Sequence, residues 1–227
     1  MKHMHMHFLL LITLLLTGCS TNASSTAKTH TSKPKTYEMD ARHVTYLKGA
    51  EQEKKQNYAE AVKYYKEAAQ QGHYMARNDL GVKYFKGLGV KQDYKKALYW
   101  FNKVVDQAPD STTNYNLGQM YRQGLGVKKD LPRAIDMYRI AARMGNTDAQ
   151  YNLGMMYLNG QGVPQNRKIA RDYFQKASNE GQSLAQNNLG VMFRKEGNLQ
   201  QAKYWYQKAA KQGNKVAAEN LSNLSKR

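Results

Sequence analysis

Apolar residues recur every three or four positions along the chain, the spacing of a helix with one buried face. Leu80, Tyr84 and Phe85 stand at i, i+4 and i+5, and Ala97, Trp100, Phe101 and Val104 follow at i, i+3, i+4 and i+7. Between these two stripes lies "GLGV" at residues 87–90. Its glycines permit positive φ and so allow a tight reversal. The pattern predicts two helices joined by a short loop.

That hairpin recurs. "NDLGVKYFKGLGV" (78–90) returns as "YNLGQMYRQGLGV" (115–127), as "YNLGMMYLNGQGV" (151–163) and, truncated, as "NNLGVMFRKEGN" (187–198). Its first glycines, Gly81, Gly118, Gly154 and Gly190, follow one another at a nearly constant step. Gly49 fills the same slot a slightly shorter step before Gly81, and Ser222 fills it an equally short step after Gly190. An alanine follows each of the five glycines: Ala61, Ala97, Ala134, Ala170 and Ala202. The interval from glycine to alanine is the same in the middle three units and shorter in the outer two, which therefore lack a four-residue insertion. Small residues at both positions predict close approach of the two helices. Val90, Val127 and Val163 are placed to plug the apolar gap at the loop. Gly72, Gly145, Gly181 and Gly213 take the place of C-cap residues, and Pro132 suits a first helical turn.

One hairpin cannot bury its stripe alone, so neighbours must stack. The expected fold is all-α, an α-solenoid of five helix-turn-helix repeats plus a C-terminal capping helix. The expected boundaries are 38–73 for the first repeat, 74–182 for the three with the insertion, 183–214 for a shortened repeat and 215–227 for the cap.

These units resemble Sel-one-like repeats, a branch of the tetratricopeptide superfamily. The family pattern A-x-x-x-L-G-x-x-Y-x-x-G-x-G-V is met by Ala76, Leu80, Gly81, Tyr84, Gly87, Gly89 and Val90, and again by Ala149, Leu153, Gly154, Tyr157, Gly160, Gly162 and Val163. The unit between them matches from Leu117 to Val127 but has Thr113 in the alanine slot. The first and fifth units look closer to plain tetratricopeptide repeats. The resemblance implies a right-handed superhelix whose first helices line a concave face. Carried over by register, the residues three before, and one and four after, each glycine point into that groove. They are Tyr46, Asn78, Phe85, Tyr115, Gln119, Arg122, Tyr151, Met155, Leu158, Asn187 and Arg194. Aromatic area with guanidinium groups suits a protein partner, either an extended peptide or a helix. The alternative is that several of them simply pack against the next repeat. Asn116, Asn152 and Asn188 also recur in register, which suggests a hydrogen bond that every repeat needs.

The N-terminus is built differently. Phe8 to Leu16 is too short for a membrane span, which needs roughly 20 apolar residues, and with Lys2 before it the segment reads as a secretory signal. Leu16-Thr17-Gly18-Cys19 holds the only cysteine and resembles the lipobox of bacterial lipoproteins. That resemblance implies cleavage after residue 18, a diacylglycerol thioether on Cys19 and an N-acyl chain such as palmitate. The alternative is an ordinary cleaved signal with an incidental cysteine. After the signal at 1–18, residues 20–36 are mostly Ser, Thr and Lys with no large apolar residue, and the stretch 19–37 reads as a lipidated cysteine followed by a flexible tether. By the same resemblance, Ser20 rather than Asp after the cysteine points to the outer membrane, at its periplasmic face.

Charge and chemistry narrow the function further. The chain has 35 basic and 17 acidic residues, net +18, and 31 of the basic residues lie beyond residue 36. Lys91, Lys95, Lys96, Lys128, Lys129, Arg133, Arg167, Lys168 and Arg171 fall on loops and second helices, toward the outer edge and convex face. A secreted, lipid-anchored domain does not routinely meet nucleic acid, so an anionic envelope polymer or lipid headgroup is the expected partner there. A merely solvated basic surface is the alternative. No metal site is expected, because His3, His5 and His7 lie in the segment removed with the signal. Ser25-Thr26-Ala27-Lys28 is a lone S-x-x-K match without its companion motifs. Only His30, His43 and His73 remain beyond the signal, and no catalytic motif accompanies them. No cofactor is expected beyond the covalent lipid, and no enzymatic activity. The expected function is an envelope-anchored scaffold for protein–protein interaction. A surface factor touching host proteins is a second reading. A third, by resemblance to disulfide-rich relatives, is cell-wall binding or β-lactam handling, although the paired cysteines of those relatives are missing.

Overall fold

The structure is a computed structural model, and it describes residues 40–107 and 110–224. Among these residues there are eleven helices and no strand. They are α1 (Ala41–Lys54), α2 (Tyr58–Gln70), α3 (Tyr74–Lys86), α4 (Tyr94–Val105), α5 (Ser111–Gln123), α6 (Leu131–Arg143), α7 (Thr147–Asn159), α8 (Arg167–Asn179), α9 (Ser183–Lys195), α10 (Leu199–Lys211) and α11 (Lys215–Leu224). Odd and even helices pair as five hairpins, each hairpin packs on the next, and α11 closes the array against α10. This is the all-α solenoid with a terminal helix that the repeat predicts. The signal segment, Cys19 and the tether lie outside the described residues.

Local chemistry sets each helix boundary. Asp93, Asp110, Asp130, Asn146, Asn166 and Asn198 each accept a hydrogen bond from the backbone N–H three residues on. Such a cap satisfies one of the donors that the first helical turn leaves unpaired. The first glycine of each loop, Gly87, Gly124 and Gly160, ends its helix in the left-handed region at φ 71°, 75° and 68°. Gln56 holds the same left-handed conformation at φ 61° without being a glycine.

The two helices of a hairpin meet through one recurring contact. A Cβ on Gly81 would lie 2.6 Å from the Phe101 ring, and one on Gly49 would lie 2.7 Å from the ring of Tyr65. The same holds for Gly118 with Tyr138, Gly154 with Phe174 and Gly190 with Tyr206, at 2.5–2.6 Å. In every hairpin an aromatic ring from the second helix lies against the backbone of the first. Each ring stands four residues after the hairpin's alanine, so alanine and ring share one helix face. The rings and alanines are buried together with Leu80, Leu117, Leu153 and Leu189. Val90, Val127 and Val163 are half-buried against this core, as the plug role requires.

Candidate functional site

The first helices carry the eleven register-derived residues. Ten are half-buried and Arg194 is exposed. Several are held from the side. The Tyr46 hydroxyl donates to Asp79 at 3.2 Å, and Thr113 donates to the Asn78 side chain at 2.8 Å. Arg122 donates to the Tyr138 hydroxyl at 3.2 Å, and Asn220 donates to Asn187 at 3.0 Å. Tyr115 packs on the ring of Tyr138 and Tyr151 on that of Phe174, both at 5.9 Å between centroids. The row is therefore fixed in place by contacts within and between hairpins. Its middle members are Phe85, Tyr115, Gln119, Arg122, Tyr151, Met155 and Leu158, which give it apolar and aromatic area with an amide and a guanidinium group between.

The recurring asparagines do not form one shared hydrogen bond. Asn152 donates to its own helix at the Asp148 carbonyl, 2.9 Å away, whereas Asn188 reaches the Met155 sulfur at 3.2 Å. Asp79 in the same register accepts from Tyr46, and Asn220 donates to Asn187. At Asp79, Asn188 and Asn220 the slot bonds to the preceding repeat, whereas Asn152 bonds within its own helix.

The junction between the first two hairpins is more polar than the repeat pattern suggests. Lys83 is only 3% exposed and pairs with Glu53, which also accepts from the Tyr65 hydroxyl at 2.7 Å. The corresponding positions of the next three units are methionines: Met120, Met156 and Met192. A lysine in a methionine slot is the one mark of this junction that the sequence carries. Burial raises the Asp79 carboxyl above its ordinary value, against the hydrogen bonds it accepts from Tyr46 and Asn78. Burial likewise drives the Tyr46 and Tyr65 hydroxyls upward, reinforced by neighbouring carboxylates.

Two of the three remaining histidines meet at this junction. His73 Nδ1 accepts the Ala76 N–H at 3.2 Å, capping α3. His73 Nε2 and His43 Nδ1 are 3.1 Å apart. The cap assigns the tautomer: with Nδ1 accepting, Nε2 carries the proton and donates to His43. Tyr46 stacks on His73 at 4.6 Å, and Asp40, Arg42 and Tyr74 complete the surroundings. Burial, with help from His43 and Arg42 and against Asp40, holds the His73 imidazole below its ordinary value. Among the described residues, no three His, Cys, Asp or Glu side chains gather as a metal site, and no helix is long and apolar enough to cross a membrane.

A family model described as Sel1 repeat matches the chain five times, at residues 41–73, 75–107, 112–146, 147–182 and 183–214. No curated protein matches by sequence. Among solved structures, a protective antigen present in uropathogenic Escherichia coli strains, displaying an SLR fold, is 31% identical with a TM-score of 0.76. The match covers 80% of this chain and 40% of the antigen, so this chain spans less than half of that protein's length. A Sel1 repeat protein from Oxalobacter formigenes is 30% identical with a TM-score of 0.73, over 81% of this chain and 78% of the other. An immunity protein from Pseudomonas aeruginosa is 27% identical with a TM-score of 0.51, over 78% and 68% of the two chains.

The histidine cap leads to a pH prediction. A group held below its unfolded pKa contributes stability that is fully present above about pH 6.5 and is lost as pH falls through the folded value. His73→Asn keeps a capping side chain, as Asn146 shows for α7 at 2.9 Å, but does not titrate. Thermal unfolding followed from about pH 7.5 to about pH 5 should therefore show a smaller loss of stability in the variant than in the parent chain. Equal slopes would mean that His73 does not contribute to the acid sensitivity.

Proposed function

This chain belongs to the Sel1 repeat family, and on that premise we propose that it is a non-catalytic scaffold that binds a protein partner along its first helices. The observation that carries the reading is the row from Phe85 through Tyr115, Gln119, Arg122, Tyr151 and Met155 to Leu158. It is half-buried in every unit it crosses and braced by ring contacts within the hairpins. A pre-organised aromatic and apolar strip loses little side-chain freedom on binding, and this favours affinity. Sel1 repeats generally serve as protein-interaction modules, which fits the strip.

The scaffold is further proposed to be a bacterial lipoprotein anchored through acylated Cys19 in the cell envelope, at the periplasmic face of the outer membrane. The lipobox-like run before Cys19 supports this. A second reading, a surface factor exposed to the host, draws on the similarity to a protective antigen. Protease treatment of intact cells separates the two, because a surface factor is cleaved and a periplasmic one is spared.

Photo-crosslinking in cells tests the partner face. A probe at Tyr115 or Tyr151 should give a discrete protein adduct, while one at exposed Glu67 on a second helix should give none. Adducts from Glu67 alone would move the binding surface away from the first helices. For the anchor, Cys19→Ser should shift the protein from the membrane fraction to the soluble fraction, and unchanged membrane association would refute lipidation there.

A further inference from the structure

The three glycine loops and the first turns of the second helices beside them form a continuous basic edge, which we propose is a docking surface for a linear polyanion carrying closely spaced phosphates. The stacking that builds the edge is seen at the second glycine of each loop. A Cβ on Gly89 would meet the Tyr58 backbone at 2.3 Å, and one on Gly126 would meet the Tyr94 backbone at 2.6 Å and the Lys95 nitrogen at 2.8 Å. One on Gly162 would lie 2.7 Å from Leu131. Each loop thus sits on the N-terminal turn of the preceding repeat's second helix. Loops and helix starts alternate along one edge, and the residues after each loop extend it to the next unit.

The cations on this edge fall into two groups. Lys96 pairs with Asp93 at 3.2 Å and lies over the Tyr84 ring, and Arg133 pairs with Asp130 at 3.6 Å and lies over the Tyr121 ring. Arg171 is likewise tied to Glu196 and to the Phe193 ring. These three have structural work to do. Lys91 and Lys95, Lys128 and Lys129, and Arg167 and Lys168 are all exposed, and among the described residues they form no ion pair. They come as one pair per repeat, on three consecutive repeats. Asp93 and Asp130 are already engaged by their helix caps and by the inner cations, and Asp172 lies further along α8. Between the second and third loops runs an open groove of about 700 Å³, lined by the charged residues Lys128, Lys129, Asp130 and Arg133 and by the apolar Val127, Leu131 and Pro132.

The kind of partner follows from what the edge lacks. A protein interface is anchored by aromatic or apolar residues at its centre. An anionic lipid surface also attracts clustered lysines through charge alone, and the vesicle arm of the test separates it from a polyanion. The large exposed hydrophobic residues are Leu47, Tyr74, Tyr99, Met144, Leu184, Leu199, Tyr204 and Val216. None of them lies in these loops or in the first turns of α4, α6 and α8. The exposed side chains of the edge are therefore mainly a ladder of point charges, mostly lysine, above half-buried apolar residues such as Val127, and such a ladder suits phosphate without requiring fixed geometry. A chain long enough to cross several rungs gains from each rung at once. This surface is separate from the first-helix strip, and neither reading depends on the other.

The test uses the full chain carrying Cys19→Ser, so that no acyl chain intrudes, with long-chain inorganic polyphosphate as the probe and tripolyphosphate as the short control. Six neutralised phosphates, at about 0.7 each by analogy with single-stranded polyanions, give a slope of log K against log salt of about −4. Lys128→Gln with Lys129→Gln removes one rung and should make that slope shallower by about 1.4. Lys203→Gln with Lys211→Gln removes the same charge from exposed positions on α10 and should leave the slope unchanged. Far-ultraviolet circular dichroism confirms that each variant keeps its helices. Tight, strongly salt-dependent binding of the long chain only, weakened by the rung variant and not by the α10 variant, supports the proposal. Equal losses in both variants, binding of tripolyphosphate as tight as that of the long chain, or binding to phosphatidylglycerol vesicles without binding to polyphosphate would overturn it.

Discussion

The structure depends on a ring laid against a glycine. In each hairpin the second helix presents one aromatic side chain to the backbone of the first, and the first helix answers with the one residue that has no Cβ. Glycine within a helix is unfavourable, costing about 1 kcal/mol relative to alanine through lost chain entropy. Its presence in all five first helices is explained by the ring that it admits. Burying that ring stabilises by about 2–3 kcal/mol, more than the glycine costs. The contact also fixes the rotation of the first helix about its own axis, because the glycine must face the ring. Everything on the remaining faces of that helix is then set, including the strip proposed to meet a partner.

Once the hairpins are defined, the junctions between them can vary. The second, third and fourth units each bury their own residue at the position two after the glycine: Lys83, Met120 and Met156. Methionine is unbranched and adaptable, suited to filling an irregular gap between repeats. Lys83 instead meets Glu53, with the His43–His73 and Tyr46–Asp79 pairs at the same junction. A buried ion pair is weak support for stability, since desolvation offsets most of its attraction, but losing one partner is costly. The first hairpin is therefore joined to the array by pH- and charge-dependent groups in addition to the shared apolar core, whereas methionine fills the same slot in the next units.

Much of this was legible in the sequence. The repeat period, the five hairpins, the closing helix and the loop glycines all follow from spacing, because local backbone demands leave marks at fixed intervals. The rings opposite the glycines were visible as aromatics four residues after each alanine. Their partners, however, lie across the hairpin loop, as Gly81 does from Phe101, so spacing alone paired the glycine with the alanine instead. Side-chain partners between repeats were less legible. The asparagines at positions 116, 152 and 188 look alike in sequence, yet Asn152 bonds within its own helix while Asn188 reaches Met155 in the preceding repeat. The His43–His73 pair was out of reach for the same reason, since a contact 30 residues apart depends on how two repeats stack.

The most direct test is a double-mutant cycle on Gly154 and Phe174, followed by chemical denaturation. Alanine in place of a mid-helix glycine ordinarily stabilises by about 1 kcal/mol. Here the new Cβ would stand 2.6 Å from the ring, so Gly154→Ala should instead destabilise by about 2 kcal/mol. Phe174→Leu removes the ring and should abolish most of that penalty, giving a coupling energy above about 1 kcal/mol. If Gly154→Ala stabilises the chain, or if the two substitutions simply add, the ring is not what the glycine is for, and the account of how the hairpins are held is wrong.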